Sequence, residues 1–141
     1  MSIICNFKAP QSEYSLWFED DGRTGYAYLK RSDAIVGDLW LYNRCIAPDI
    51  SEWSDRDNAP FANCQGYTLE GSEMKQTVSQ KDVIVDWESG QDGPVAYIYI
   101  FEDLYGYLWP GAKPGFARLA AKDGPVARRM ELENEASRAI K

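Results

Sequence analysis

Apolar and polar residues alternate with a period of two over residues 14–43 and again over 83–109, the pattern of β-strands with one buried face. The clearest unit is residues 14–29, a hairpin around Asp21-Gly22. Asp-Gly suits a two-residue type I′ turn, which needs positive φ at both central positions. That turn predicts a register in which Asp20 faces Arg23, Trp17 faces Tyr26 and Tyr14 faces Leu29. Leu16, Phe18, Gly25, Ala27 and Leu29 then share a core face, while Trp17, Glu19, Thr24, Tyr26 and Tyr28 share the other. Residues 35–43 read as a third strand, with Ile35, Gly37, Leu39 and Leu41 on one side. Val36, Asp38, Trp40 and Tyr42 lie on the other, so an aromatic and polar face runs on from the hairpin. Three such strands make a meander able to stand alone.

Residues 47–66 break the alternation. Asp49 followed by Glu52 has capping-box spacing, which predicts one helical turn over residues 50–55 inside a long loop. Residues 67–79 are expected to form a short hairpin around Gly71-Ser72. Residues 83–87 and 95–101 read as strands joined by a turn at 89–94; a return near Glu102-Asp103 leads to a strand over 104–109. Apolar groups on both faces of 95–101 predict a central strand. Residues 115–121 add one more strand, and Pro125 after Asp123-Gly124 predicts a C-terminal helix or tail over 125–141. The fold class is mainly β (α+β): one domain over 1–141, an antiparallel sheet or sandwich of hairpins and meanders with a short C-terminal helix.

At 141 residues and 45% hydrophobic, the chain has enough apolar material for a core without staples. No apolar run approaches the length of a membrane span. The first residues lack a basic-then-apolar leader pattern, so the expected compartment is the cytoplasm. Cys5, Cys45 and Cys64 fit no zinc-ligand spacing and read as free thiols. The chain contains no histidine, which removes Ser-His-Asp and Cys-His chemistry and histidine metal sites. The net charge of −7 is uneven: residues 1–111 hold 8 Lys/Arg against 18 Asp/Glu, and residues 112–141 hold 7 against 4. Such a body repels nucleic acid and anionic membrane and attracts basic surfaces.

Neither a nucleophile elbow nor a glycine-rich phosphate loop is present. Asp55-Arg-Asp-Asn58 resembles the start of a calcium loop but lacks the glycine and closing glutamate at their offsets. The carboxylate groups Glu19-Asp20-Asp21 and Glu102-Asp103 sit where hairpins turn and read as turn formers. The expectation is therefore a protein with no catalytic residues, no metal and no cofactor. Recognition remains, since Tyr and Trp combine rigid apolar area with a polar tip. The expected partner-binding residues are Trp17, Glu19, Tyr26, Tyr28, Asp38 and Trp40 on the aromatic face, with Trp53, Asp55, Asp57 and Phe61 from the long loop. Two alternatives stand beside a partner surface: the aromatic face can pack against a second sheet, and Trp53 and Phe61 can anchor the loop to its own core.

The pattern Phe-Glu-Asp-Asp-Gly-x-Thr-Gly-Tyr-x-Tyr over residues 18–28 resembles one from a family of small bacterial domains of unknown function. That resemblance carries no catalytic assignment. In composition (small, acidic, aromatic-rich and histidine-free) the chain is similar to immunity proteins, which block a cognate toxin. The resulting expectation is a stoichiometric binder of another protein with a basic surface, of the immunity type. Two rivals from other classes are a carbohydrate-binding module using exposed Trp and Tyr, and a hydrolase using Glu19 and Glu102.

Overall fold

The alternation of the N-terminal third becomes a four-stranded antiparallel meander in the computed structural model, which describes residues 2–50 and 61–130. Its strands are β1 (Ile3–Lys8), β2 (Tyr14–Asp20), β3 (Thr24–Arg31) and β4 (Ala34–Asn43), in that order across the sheet. β1 was not among the expected strands. Its Ile3, Cys5 and Phe7 turn inward while Ile4, Asn6 and Lys8 are exposed, a period-two pattern only six residues long.

The hairpin is where it was expected, but its loop is wider. Asp20 lies opposite Gly25, not Arg23, and Trp17 lies opposite Tyr28. The cause is the chemistry of Asp21, whose Oδ1 accepts the N–H groups of Arg23 (2.9 Å) and Thr24 (2.8 Å). Asp20 Oδ1 likewise accepts the Gly22 N–H at 2.9 Å. These side-chain turns leave residues 21–24 between the last cross-strand pair, Asp20 and Gly25, with only Gly22 of the four at positive φ. The pairing therefore slips by two residues, and a slip of two leaves every side chain on its expected face.

The second sheet runs β5 (Val83–Gly90), β6 (Gly93–Ile100), β7 (Asp103–Leu108), β8 (Phe116–Ala117) and β9 (Arg128–Arg129). All neighbours are antiparallel except β8 and β9, which are parallel. β6 is interior to this sheet, as expected from its two apolar faces. A tight turn at residues 91–92 joins β5 to β6, and the turn between β6 and β7 is a two-residue loop of Phe101 and Glu102 at φ 51° and 73°.

The two sheets share one core. Leu16, Phe18, Leu29, Leu39 and Leu41 from the first meet Ala96, Ile98, Ile100 and Leu108 from the second, all with no exposed surface. Each fully buried Leu or Ile of this set contributes roughly 1.5–3 kcal/mol relative to an exposed one. A Cβ on Gly106 would lie 2.7 Å from Leu39 Cδ2, so glycine lets the sheets approach at β4 and β7. The outer edge of β4 is also occupied: Gly111 N–H donates to Val36 O (2.7 Å), Asp38 N–H to Ala112 O (3.0 Å) and Trp40 N–H to Val126 O (2.9 Å). Beyond β9 the Arg129 N–H donates to Asp123 Oδ1 (2.8 Å) and Ala127 O accepts the Gly124 N–H (2.9 Å), so β1 and β5 are left as the free lateral edges of the two sheets among the described residues.

Three expectations are corrected. Residues 67–79 form no hairpin: Thr68 bridges Ala120, and Met74 N–H donates to Asn43 O at 2.9 Å. The strand expected over 115–121 shrinks to Phe116–Ala117. The first residues of the expected C-terminal helix are extended, with Arg128–Arg129 drawn into the sheet beside β8. Among the described residues the helical content is one 3₁₀ turn at Gln80–Asp82, its N-terminus closed by the Ser79–Asp82 capping box. The helical turn expected over 50–55 lies, apart from Ile50, outside the described residues, as does the rest of the C-terminal helix.

Candidate functional site

The register of the first sheet lays out its outer face row by row. Ile4, Glu19, Tyr26 and Trp40 lie side by side across the four strands. Asn6, Trp17, Tyr28 and Asp38 form the next row, and Lys8, Ser15, Lys30 and Ile35 the one after it. The face expected to be aromatic and polar is thus real, and it points away from the second sheet. It is not the inter-sheet layer.

It is also shorter than expected, because its two ends differ. Trp40 has no exposed surface and Tyr26 is 5% exposed, so neither can present itself to a partner. The Trp40 indole N–H donates to Asn43 Oδ1 at 2.7 Å, and the same oxygen accepts the Asn63 N–H at 3.0 Å. Asn43 Nδ2 returns a bond to Asn63 O at 2.9 Å. The far end of the long loop is thereby pinned over this corner, and a buried indole satisfied in this way is a structural anchor. Tyr42 leaves the face altogether. A bulge at Leu41 sets Tyr42 opposite Gly25 and Trp40 opposite Tyr26, so Tyr42 joins the core face beside Phe18.

Trp17, Glu19, Tyr28 and Asp38 remain as the accessible part of the expected site. Together with Ile4, Lys30 and Ile35, the first three line a shallow notch of about 150 Å³. Ile4 on β1 is 62% exposed and Ile35 on β4 is 49% exposed, two large apolar side chains open to solvent on the same face. Lys30 Nζ stands 4.4 Å from the Trp17 ring centroid, a cation–π contact within the chain. Burial pushes the Glu19 carboxyl up from its usual range, and Asp21 nearby adds to the shift. Burial likewise raises Asp38, with Lys113 pulling it the other way. Between them the Tyr28 hydroxyl is pushed up to about 12, by burial first and then by Glu19, Asp38 and Asp21. Half-buried carboxylates without a hydrogen-bonded cation are costly, and here Glu19 and Asp38 share the face with Lys8 and Lys30.

The carboxylates at the hairpin tip have a different fate. Asp20 is 3% exposed, and its Oδ2 accepts from Tyr42 OH (2.6 Å), Arg44 Nε (2.7 Å) and Arg44 Nη2 (2.6 Å). These bonds hold its carboxyl below the usual range despite burial. Arg44 Nη1 also reaches Met74 O at 3.2 Å, so the pair ties the hairpin to the segment after the long loop. Asp20 and Asp21 are turn and anchor groups. Glu102 sits on the β6–β7 turn of the second sheet and does not line the notch that holds Glu19.

Of the loop residues expected to bind, Phe61 packs against the core, and Trp53, Asp55 and Asp57 lie outside the described residues. The sequence reading missed a second aromatic surface on the outer face of the other sheet. Register places Asp86, Tyr97, Tyr107, Phe116 and Arg128 in one transverse row. Tyr97 stacks on Tyr107 (centroids 5.3 Å apart), Tyr107 on Phe116 (5.2 Å), and the Arg128 guanidinium caps Phe116 at 4.3 Å. Trp109 joins the row 5.8 Å from Phe116. These rings spend their faces on one another, so the row acts as a sheet brace. Tyr97 and Tyr107 alternate correctly in the sequence; the two-residue β8 and β9 that complete the row carry no periodic signal.

No helix among the described residues is long and apolar enough to cross a membrane. No family model, no curated protein and no solved structure matches the chain.

Proposed function

We propose that this protein is a stoichiometric binder of another protein, and that it docks its partner on the outer face of the first sheet. The observation that carries the reading is the grouping of exposed Ile4 and Ile35 with half-buried Trp17 and Tyr28, flanked by Glu19 and Asp38. Apolar and aromatic groups supply desolvated anchors, and carboxylates select a basic surface and speed encounter. The overall charge of −7 acts in the same direction at long range. Within this class the specific form is an immunity-type inhibitor that covers a basic toxin.

The sugar-binding alternative draws less support. A pyranose stacks on a free ring face, whereas Lys30 covers one face of Trp17 and the rings of the second sheet cover each other. The test is quantitative capture from the native cell with the wild type and a Trp17→Ala/Tyr28→Ala variant as baits. The reading expects a basic protein retained in equimolar amount by the wild type, lost from the variant, and bound more slowly at high salt. Equal retention by both baits, or retention of no basic protein, counts against it.

A further inference from the structure

Among the described residues β1 and β5 are the lateral edges whose backbone no neighbouring segment occupies, and they are defended differently. An unpaired edge offers a row of backbone donors and acceptors to any other strand, and proteins guard such edges with charge, proline or bulges. β5 is guarded: Asp86 and Glu88 project from its exposed side. The self-pairings that use the whole of β5, centred on Asp86 or Trp87, set Asp86 against itself or against Glu88. β1 has no such guard. It contains no proline, no carboxylate and no bulge, its one charge is Lys8 at the end, and Ile4 beside the edge is 62% exposed.

We infer that β1 pairs with β1 of a second copy of this chain, antiparallel about a two-fold axis through Cys5. Residues paired across an antiparallel ladder share a face, so this register keeps both inner faces on one side. It sets Ile3 opposite Phe7 of the second copy, twice, and Ile4 opposite Asn6, also twice. Lys8 meets Ser2, so no like charges oppose. Ile3 and Phe7 are only partly buried in the single chain, packed against the rim of its core. The pairing covers them with each other, and cross-strand aromatic–β-branched pairs are favourable on a sheet. The result is a continuous eight-stranded sheet with both outer faces on one side. A single edge contact buries less than a standard interface, so the dimer is reversible.

Sedimentation of the full chain over a wide concentration range tests this. The wild type is expected to show a monomer–dimer equilibrium. Ile4→Lys is expected to weaken it by about tenfold or more, since an edge lysine is a natural guard against pairing. Adding Asn6→Asp to Ile4→Lys is expected to restore association, because the register sets the new ammonium of one copy against the new carboxylate of the other. Ile84→Lys, beside the β5 edge, is expected to leave it unchanged. Ile4, Asn6 and Ile84 are all exposed, so these variants keep the core intact. The inference is overturned if the wild type stays monomeric throughout, if Ile84→Lys weakens association and Ile4→Lys does not, or if the double variant associates no better than Ile4→Lys alone.

Discussion

The phenol ring of Tyr42 occupies the space that a side chain on Gly25 would need. A Cβ at Gly25 would lie 2.3 Å from both Cε2 and Cζ of that ring. This contact exists because the bulge at Leu41 turns Tyr42 from the outer face to the core. Tyr42 has no exposed surface and is bonded to Asp20, so it has nowhere to retreat. Gly25→Ala is therefore expected to destabilise the fold by about 2–3 kcal/mol through overpacking, read as a drop in the urea midpoint. A loss below about 0.5 kcal/mol, the range of ordinary surface changes, would show that the ring yields freely.

The Asp20–Arg44 pair makes acid stability depend on one carboxylate. Its folded pKa is depressed, so the unfolded chain binds the proton more tightly. The stabilisation is then fully present above the ordinary carboxylate pKa of about 4 and is lost as pH falls through the lower folded value. Asp20→Asn leaves Arg44 without its counter-charge and is expected to cost about 3 kcal/mol at neutral pH. Its stability should also fall less steeply on acidification than that of the wild type. Thermal melts across the acid range, on both proteins, measure this.

Glu19 and Asp38 carry the opposite sign. Their folded pKa values are raised, so each destabilises the fold while ionised, and this cost is relieved as pH falls through those raised values. Glu19→Gln and Asp38→Asn are expected to stabilise the free protein at neutral pH by roughly a few tenths of a kcal/mol each. The same variants should weaken partner binding, the usual conflict between a functional surface and stability. A variant that loses stability and keeps full affinity would place the charge in the scaffold instead.

At the β6–β7 turn, Phe101 and Glu102 both adopt left-handed backbone conformations without being glycine. Such a conformation costs an ordinary residue about 1–2 kcal/mol, and glycine gives back part of the gain through its freer unfolded chain. Glu102 is exposed, so Glu102→Gly removes strain without removing packing. Chemical denaturation should show a gain of about 0.5–1 kcal/mol. Phe101 packs against the core and its N–H donates to Asp82 O at 3.0 Å, which explains how the turn persists.

Much of the fold is legible in the alternation of residues. The hairpin, the third strand and the units over 83–109 are long enough for a period of two to declare itself. The faces survived a two-residue error in register because parity is conserved under such a slip. What escaped was carried by shorter or non-periodic signals. β1 spans six residues, and β8 and β9 span two each, held by their neighbours and not by propensity. The bulge at Leu41 leaves no mark in composition, so alternation alone puts Tyr42 on the wrong face. The candidate site was half legible: Trp17, Glu19, Tyr28 and Asp38 follow from alternation. The anchoring of the Trp40 indole depends on Asn43, to which a distant Asn63 returns. Ile35, expected on the side of Gly37 and Leu39, is turned to the outer face by a second bulge at Val36, between the Leu29–Gly37 and Lys30–Ile35 pairs, and there it lines the notch with Ile4.

The central claim is that the outer face of the first sheet meets a protein partner. Hydroxyl-radical footprinting of the captured complex against the free chain tests it most directly, because Trp17, Tyr28, Tyr97 and Tyr107 are all oxidisable and partly exposed. The expected result is protection of Trp17 and Tyr28 in the complex, with Tyr97 and Tyr107 unchanged. Protection of Tyr97 and Tyr107 with Trp17 and Tyr28 still oxidised would contradict it, and would move the docking surface to the other sheet.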